Sequence, residues 1–195
     1  MVWKRLFDLA GSAGLLALLW PLMLVLALAV KLDSPGPALF RQTRVGRGGL
    51  DFDILKFRTM TVLPEASAGR FDAGDARRVT RLGRLLRRGK LDELPQLLNV
   101  LKGEMSLVGP RPEIRRWVEI YPERWRAALQ VRPGLTDEAS VRFRHEEDIL
   151  AAAADPERCY REMILPRKLD LYEKYAARPS FKDDLKIIWA TLKAL

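Results

Sequence analysis

Asp92 and Glu93 stand side by side in the block Leu91-Asp92-Glu93-Leu94-Pro95-Gln96-Leu97, directly after a stretch that is wholly basic in its charge. Residues 76–91 contain no acid but carry Arg77, Arg78, Arg81, Arg84, Arg87, Arg88 and Lys90. Pro95 has no N–H to lose and is tolerated in a first helical turn, so a helix is predicted to begin here. The two carboxylates then lie near the positive end of its dipole. Such an end favours phosphate as well as carboxylate. A carboxylate pair facing a cationic surface points to phosphate chemistry, with a metal, a nucleophile or both. The plainer alternative is a capping Asp-Glu pair on an ordinary helix, because acids are common in first turns.

Other residues suit the same chemistry. Arg111 lies between Pro110 and Pro112, which fix the backbone on both sides. A rigidly presented guanidinium matches a bidentate phosphate contact. Arg132-Pro133-Gly134 is a second rigid basic turn. With one histidine, His145, and one cysteine, Cys159, no His/Cys cluster for zinc can be built. A metal here would take oxygen ligands, which points to Mg²⁺ or Mn²⁺. The single cysteine also rules out an internal disulfide and suits a reducing compartment.

The elements that must position these groups read as an α-dominated α+β fold. Residues 38–46 and 50–58 are predicted strands around the turn signal Gly46-Arg47-Gly48-Gly49. The second strand ends in Lys56 and Arg58, which share a face. Residues 61–76, rich in Ala, Gly, Ser and Asp, read as a mobile loop. Residues 77–88 read as a basic amphipathic helix with Val79, Leu82 and Leu86 opposite the arginines. That helix suits a membrane surface or, alternatively, a solvated face weakened by Gly83 and Gly89. The helix after Pro95 places Leu94, Leu97, Leu98 and Leu101 at core spacing, and Gly103 ends it. Residues 113–129 and 145–177 look helical and mostly exposed. The C-terminal segment aligns Phe181, Leu185, Ile188, Trp189 and Leu192 on one face, as a packing helix or an interfacial one.

Residues 9–30 carry no charge and are long enough to span a bilayer, which takes roughly 20 apolar residues. Two features compete with a single-pass anchor. Basic residues flank both sides (Lys4 and Arg5 before; Lys31, Arg41, Arg44 and Arg47 after), which is best met if both ends stay in the cytoplasm. Pro21 also interrupts the segment and frees the carbonyl of Ala17. A re-entrant helical hairpin and a kinked span both remain open on these grounds. The formal net charge of +9 across 195 residues implies an anionic partner: nucleic acid, an anionic membrane surface or a phosphorylated substrate.

Four ordered blocks carry a resemblance: KRLFDL with the apolar segment behind it; SPGPALFRQTRVGRGGLDFDILKFRTM; LRRGKLDELPQLLNVLKGEMSLVGPRPE; and VRPGLT. In these the chain resembles the bacterial sugar transferase family, the monotopic phosphoglycosyl transferases that start glycan assembly on polyprenyl phosphate. The resemblance runs from Lys4 to the C-terminus. It implies transfer of a sugar 1-phosphate from a UDP-sugar to undecaprenyl phosphate, with UMP released. It implies Asp92 as the nucleophile of a covalent aspartyl phosphosugar intermediate and Glu93 as a Mg²⁺ ligand. Arg87 would contact phosphate, and Lys56, Arg58 and Arg111 would line the donor site. It further implies a re-entrant membrane segment over 1–32, broken at Pro21, and a cytoplasmic catalytic domain over 33–195 lying on the membrane through amphipathic helices. Membrane lipid is then a partner and nucleic acid is not; the sequence is compatible with a homodimer without fixing one.

Two departures stand out. Trp20 occupies the place where many relatives have Ser before the proline, so the kink would be satisfied differently, for instance by Ser12. Residues 137–144 replace a Gly and an Ala-Gln-Val stretch, so the identity of the sugar does not carry over, and Arg142 and Arg144 read as surface residues or donor contacts. Two rival functions stand beside the resemblance: a membrane-anchored basic domain that binds anionic lipid or nucleic acid, and a lipid-associated phosphohydrolase with water as acceptor.

Overall fold

The structure, a computed structural model, describes residues 2–61 and 78–194. The segment read as a mobile loop therefore lies outside the described residues from position 62 onward, as does Arg77.

Helix α1 (Val2–Asp33) is apolar and long enough to cross a membrane by length and composition. At 1.5 Å per residue its contour is about 48 Å. Pro21 lies inside it, with helical backbone on both sides, so the predicted helix-break-helix is here one helical element. Ser12 does not satisfy the freed carbonyl of Ala17: its hydroxyl donates to the Asp8 carbonyl at 2.5 Å. Both ends of α1 pack on the rest of the chain. Phe7 and Leu16 join one cluster with Ile54, Leu97 and Leu107. Met23, Leu26 and Val30 join another with Phe57 and Leu86.

Strands β1 (Leu39–Val45) and β2 (Asp51–Phe57) form the predicted antiparallel hairpin, in register from Leu39 opposite Phe57 to Val45 opposite Asp51. Helix α2 (Arg81–Arg88) is shorter than predicted because Thr80 caps it, accepting the Gly83 N–H at 2.9 Å. Val79 lies before the helix and pairs with Met60 in a β-bridge instead. Leu86 packs into the core, and Leu85 is exposed.

Helix α3 (Gln96–Lys102) ends at Gly103, whose φ of 89° is the left-handed cap expected there. Its buried face differs from the predicted leucine stripe. Gln96, Leu97, Asn99 and Val100 are buried, and Leu98 is exposed. The reason is Asn99: its side chain accepts the Leu55 N–H at 3.1 Å and donates to the Asp53 carbonyl at 2.8 Å, stitching α3 to β2.

Strand β3 (Ser106–Val108) pairs in parallel with β4 (Gly134–Thr136). This union brings the two Arg-Pro turns together. Gly109 and Gly134 meet back to back, and a Cβ on Gly134 would lie 2.1 Å from the Gly109 nitrogen. Only glycine permits that approach.

The remaining helices are α4 (Arg115–Val118), α5 (Pro122–Ala128), α6 (Glu138–Arg142), α7 (Glu146–Ala152), α8 (Pro156–Cys159), α9 (Leu165–Ala177) and α10 (Phe181–Ala194), with a π-helical turn at Tyr160–Ile164. The expectation that 113–129 and 145–177 are mostly exposed is corrected here. They build the largest core cluster, through Trp117, Trp125, Leu150, Ile164, Leu169 and Tyr172. Their apolar residues are widely spaced among charges, which hides the buried stripe from a reading of composition. Helix α10 divides its roles: Ile187 and Ile188 pack inward, while Phe181, Leu185, Trp189 and Leu192 stay exposed.

Candidate active site

The turn that carries Asp92 and Glu93 is built by a backbone exception. Lys90 has φ 52° and ψ 19°, the one positive-φ non-glycine among the described residues. Left-handed backbone is unfavourable for a side chain with a Cβ and tends to mark functional turns. Here it reverses the chain out of α2 into a 3₁₀ turn over Leu91–Glu93, one turn ahead of α3. The dyad therefore precedes the α-helix rather than opening it.

Both carboxylates are buried. Glu93 is held through both of its oxygens. Its Oε1 accepts from Lys56 Nζ at 2.9 Å and from Arg111 Nη2, and its Oε2 receives Arg111 Nη1 at 3.3 Å. Burial alone would raise the pKa of Glu93, but Arg111 and Lys56 overcome it and hold the carboxyl well below the usual range. Glu93 in turn pushes the Arg111 pKa up. Lys56 is lowered, chiefly by desolvation, against the pull of Glu93.

Asp92 is the opposite case. Its Oδ1 is buried and has no hydrogen-bond partner among the described residues. Desolvation and then the charge of Glu93 raise its pKa; Lys56, Arg87 and Lys90 act the other way. Arg87 is aimed by its neighbour on the β2 side, donating Nε–H to Thr59 Oγ1 at 3.1 Å, with a longer contact to Glu147 at 3.4 Å. Three of the chosen cations thus converge on the dyad: Lys56 from β2, Arg87 from α2 and Arg111 from the turn after β3.

Arg58 is placed elsewhere. Its guanidinium bonds the carbonyls of Val30 (3.1 Å), Ser34 (2.8 Å) and Pro35 at the end of α1, so it clamps the apolar helix and does not join the dyad. Pro21 lies in α1. Arg142 pairs with Glu138 on the surface, and Arg144 is exposed, in line with the surface reading of both.

One residue was missed. Gln96 is fully buried, and among the described residues both its Oε1 and its Nε2 lack a partner. It sits one helical turn after Asp92, on the face where Asn99 bonds β2. A buried unsatisfied polar group costs about 1–3 kcal/mol. Three such atoms, Asp92 Oδ1 and both ends of Gln96, fall within one turn of the chain. The available signal was position: Gln96 directly follows Pro95 in the dyad block.

Among the described residues no three acids or metal-binding side chains cluster into a protein-only metal cage. Mg²⁺ more often takes one or two carboxylates together with substrate phosphates and water. The orphaned Oδ1 of Asp92 and the loosely engaged Oε2 of Glu93 fit that smaller donor set.

A buried carboxylate dyad in a cationic cradle thus sits on a domain docked along a long apolar helix that fits a membrane anchor by length and composition. The chain matches the profile of the bacterial sugar transferases over residues 1–195, and it belongs to that family. It is 54% identical to a UDP-glucose:undecaprenyl-phosphate glucose-1-phosphate transferase of Caulobacter vibrioides over 71% of this chain and 53% of the relative. It is 42% identical to an undecaprenyl-phosphate glucose phosphotransferase of Komagataeibacter xylinus over 99% of this chain and 36% of the relative. It is 40% identical to an exopolysaccharide production protein of Rhizobium leguminosarum over 98% and 94%. The chain thus spans about half of the first of these relatives and about a third of the second.

Proposed function

We propose that this chain is a phosphoglycosyl transferase that moves a sugar 1-phosphate from a UDP-sugar to undecaprenyl phosphate and so initiates a membrane-linked glycan. The observation that carries the reading is Asp92: a buried carboxylate with one unpartnered oxygen, beside an acid whose charge Lys56 and Arg111 already neutralise. In the first step an oxygen of Asp92 attacks the phosphorus that bears the sugar. A P–O bond forms to the carboxylate, and the P–O bond to UMP breaks, so UMP departs with the bridging oxygen and its electron pair. In the second step an oxygen of undecaprenyl phosphate attacks the same phosphorus, and Asp92 leaves as carboxylate. No net proton transfer is needed. Two steps at one nucleophile let a soluble donor and a lipid acceptor use the site in turn.

Glu93 holds Lys56 and Arg111 charged and fixed where the diphosphate and departing UMP build negative charge; Arg87 approaches from α2. Mg²⁺, bound by Glu93 with the donor phosphates, would supply further charge stabilisation. The proposed location is the cytoplasmic face of the membrane, with α1 entering one leaflet and returning. This is supported by the attachment of both its ends to one domain and by the exposure of Leu18, Trp20, Leu24 and Val25 between them.

The test is UMP release in nanodiscs with Mg²⁺, undecaprenyl phosphate and a panel of UDP-sugars, for wild type and Asp92→Asn. Release that requires lipid, metal and Asp92 is expected. Release without lipid acceptor, yielding free sugar phosphate, would make the chain a hydrolase instead.

A further inference from the structure

Away from the dyad, a cavity of about 190 Å³ opens between the first turn of α1 and the turn that precedes β4. Its lining includes Lys4, Arg5, Arg47, Arg132 and Asp8. The proposed transfer chemistry uses none of them. Two of the arginines are anchored at one end and open at the other. Arg132 donates Nε–H to the Gly103 carbonyl at 2.8 Å, and Arg47 donates Nε–H to the Gln130 carbonyl at 3.0 Å. Among the described residues the terminal Nη groups of both have no partner. Arg5 caps the end of α3 through the carbonyls of Val100 (2.7 Å) and Leu101 (3.0 Å), and its charge faces the same space.

The charges of the cavity do not balance. Lys4 is neutralised by Asp184 at 2.6 Å. Asp8 is the one carboxylate in the lining, and its Oδ1 is occupied by the Ser106 hydroxyl and the Leu107 N–H, both at 3.0 Å. Against it stand three guanidinium groups. Burial and the positive charges of Arg5 and Arg47 push the Arg132 pKa below its ordinary value, so the cluster repels itself and gains from an anion. The surroundings say where that anion sits. Val2, Trp3 and Leu6, exposed and apolar, flank Lys4 and Arg5; Pro179 of the lining leads into α10, whose Phe181, Leu185 and Trp189 are exposed. Phe7 and Phe181 touch edge to face at 5.1 Å, which joins the two apolar surfaces.

We propose that this cavity is a headgroup site for the phosphate of an anionic membrane phospholipid, held by the free forks of Arg47 and Arg132 while its acyl chains lie on the apolar surface of α1 and α10. Guanidinium forks match phosphate oxygens in pairs. The inference rests on the membrane reading above but not on the transfer chemistry.

The probes are vesicles of phosphatidylcholine alone, vesicles containing phosphatidylglycerol, and inorganic phosphate, tested on the full chain and on Arg47→Gln/Arg132→Gln. Wild type should partition onto both vesicles and favour phosphatidylglycerol. Two cations near an anionic surface are worth a partition ratio of about 30-fold, and the double variant should lower the preference by about that factor while keeping its binding to phosphatidylcholine. Native mass spectrometry should show one retained phosphatidylglycerol per wild-type chain, not displaced by millimolar phosphate. An unchanged preference in the double variant overturns the site, and displacement by inorganic phosphate overturns the lipid as its source. Failure to bind either vesicle would instead overturn the membrane reading. Arg47→Gln alone, at an exposed side chain, gives the same comparison if the double variant does not fold.

Discussion

Asp92 has to be ionised to attack phosphorus, yet burial and the charge of Glu93 push its pKa up, against Lys56, Arg87 and Lys90. Activity should therefore fail on acidification at a pH above that of an ordinary aspartate, and the acid limb of kcat/KM for UMP release reports it. Stability has the opposite sign at this residue. Because its folded pKa is raised, Asp92 favours folding when protonated and loses that contribution as pH rises through the folded value. Asp92→Asn, neutral at every pH, should thus raise Tm at neutral pH while lowering turnover by about four orders of magnitude or more. Substantial remaining turnover would remove Asp92 from the nucleophile role. Glu93 behaves conversely: its depressed pKa stabilises the fold above the ordinary glutamate value, and that stability is lost as pH falls through the folded value. Gln96 separates stability from function in another way. Its amide is buried and unsatisfied at both ends, so Gln96→Leu should stabilise the fold by about 1–3 kcal/mol. If the amide serves the occupied site, the same variant should lower kcat/KM for UMP release tenfold or more. Melting and kinetics on one preparation decide it, and a stabilised variant with unchanged kinetics would leave Gln96 outside the chemistry.

Helix α2 shows how propensity misleads when a helix must touch its neighbour. Gly83 in a helix interior argues from sequence for weakness, and Gly83→Ala should then stabilise by about 1 kcal/mol. The structure reverses the sign. A Cβ at Gly83 would lie 2.1 Å from the Thr59 carbonyl oxygen, and Thr59 is also the residue that aims Arg87. Gly83→Ala should therefore destabilise by about 1–3 kcal/mol, read by denaturant unfolding, and should reduce turnover by displacing Arg87. The same contrast runs through the other elements. The hairpin was legible because its turn and its alternation are local signals, and its strands fall within a residue of the expected bounds. The α3 face was not, because Asn99 is buried by bonds to β2, a partner more than forty residues away. Lys56, Arg87 and Arg111 were legible as cations, and their convergence follows from three separate elements. The bonds of Arg58 to α1 were not legible, because two residues on one strand face need not stay together once the strand ends: Phe57 closes β2, and Arg58 turns to the carbonyls of α1.

The largest ambiguity in the sequence was whether the apolar segment crosses the bilayer, and no local signal could resolve it, because length and hydropathy are the same for a spanning and a returning helix. Tertiary contacts bear on it. At the start of α1, Lys4 bonds Asp184 and the Val108 carbonyl, Arg5 bonds the end of α3, and Asp8 holds β3. At its end, Arg58 holds the carbonyls of Val30, Ser34 and Pro35, and Val30 packs on Phe57 and Leu86. One polar domain thus grips both ends. A spanning helix would put a hydrocarbon core of roughly 30 Å between those ends, and the charged pairs at one of them would have to form across it. Both ends should therefore face the same side. With Cys159→Ser as background, Val2→Cys and Asp33→Cys in intact cells should both resist an impermeant thiol reagent added outside and both react after the inner membrane is opened. Labelling of position 2 alone from outside would establish a span and detach Lys4 from Asp184. Arg58→Ala is the complementary perturbation. It leaves three carbonyls at the end of α1 without their donor, so it should lower Tm and loosen that end, read as faster thiol reaction at position 33 than at position 2.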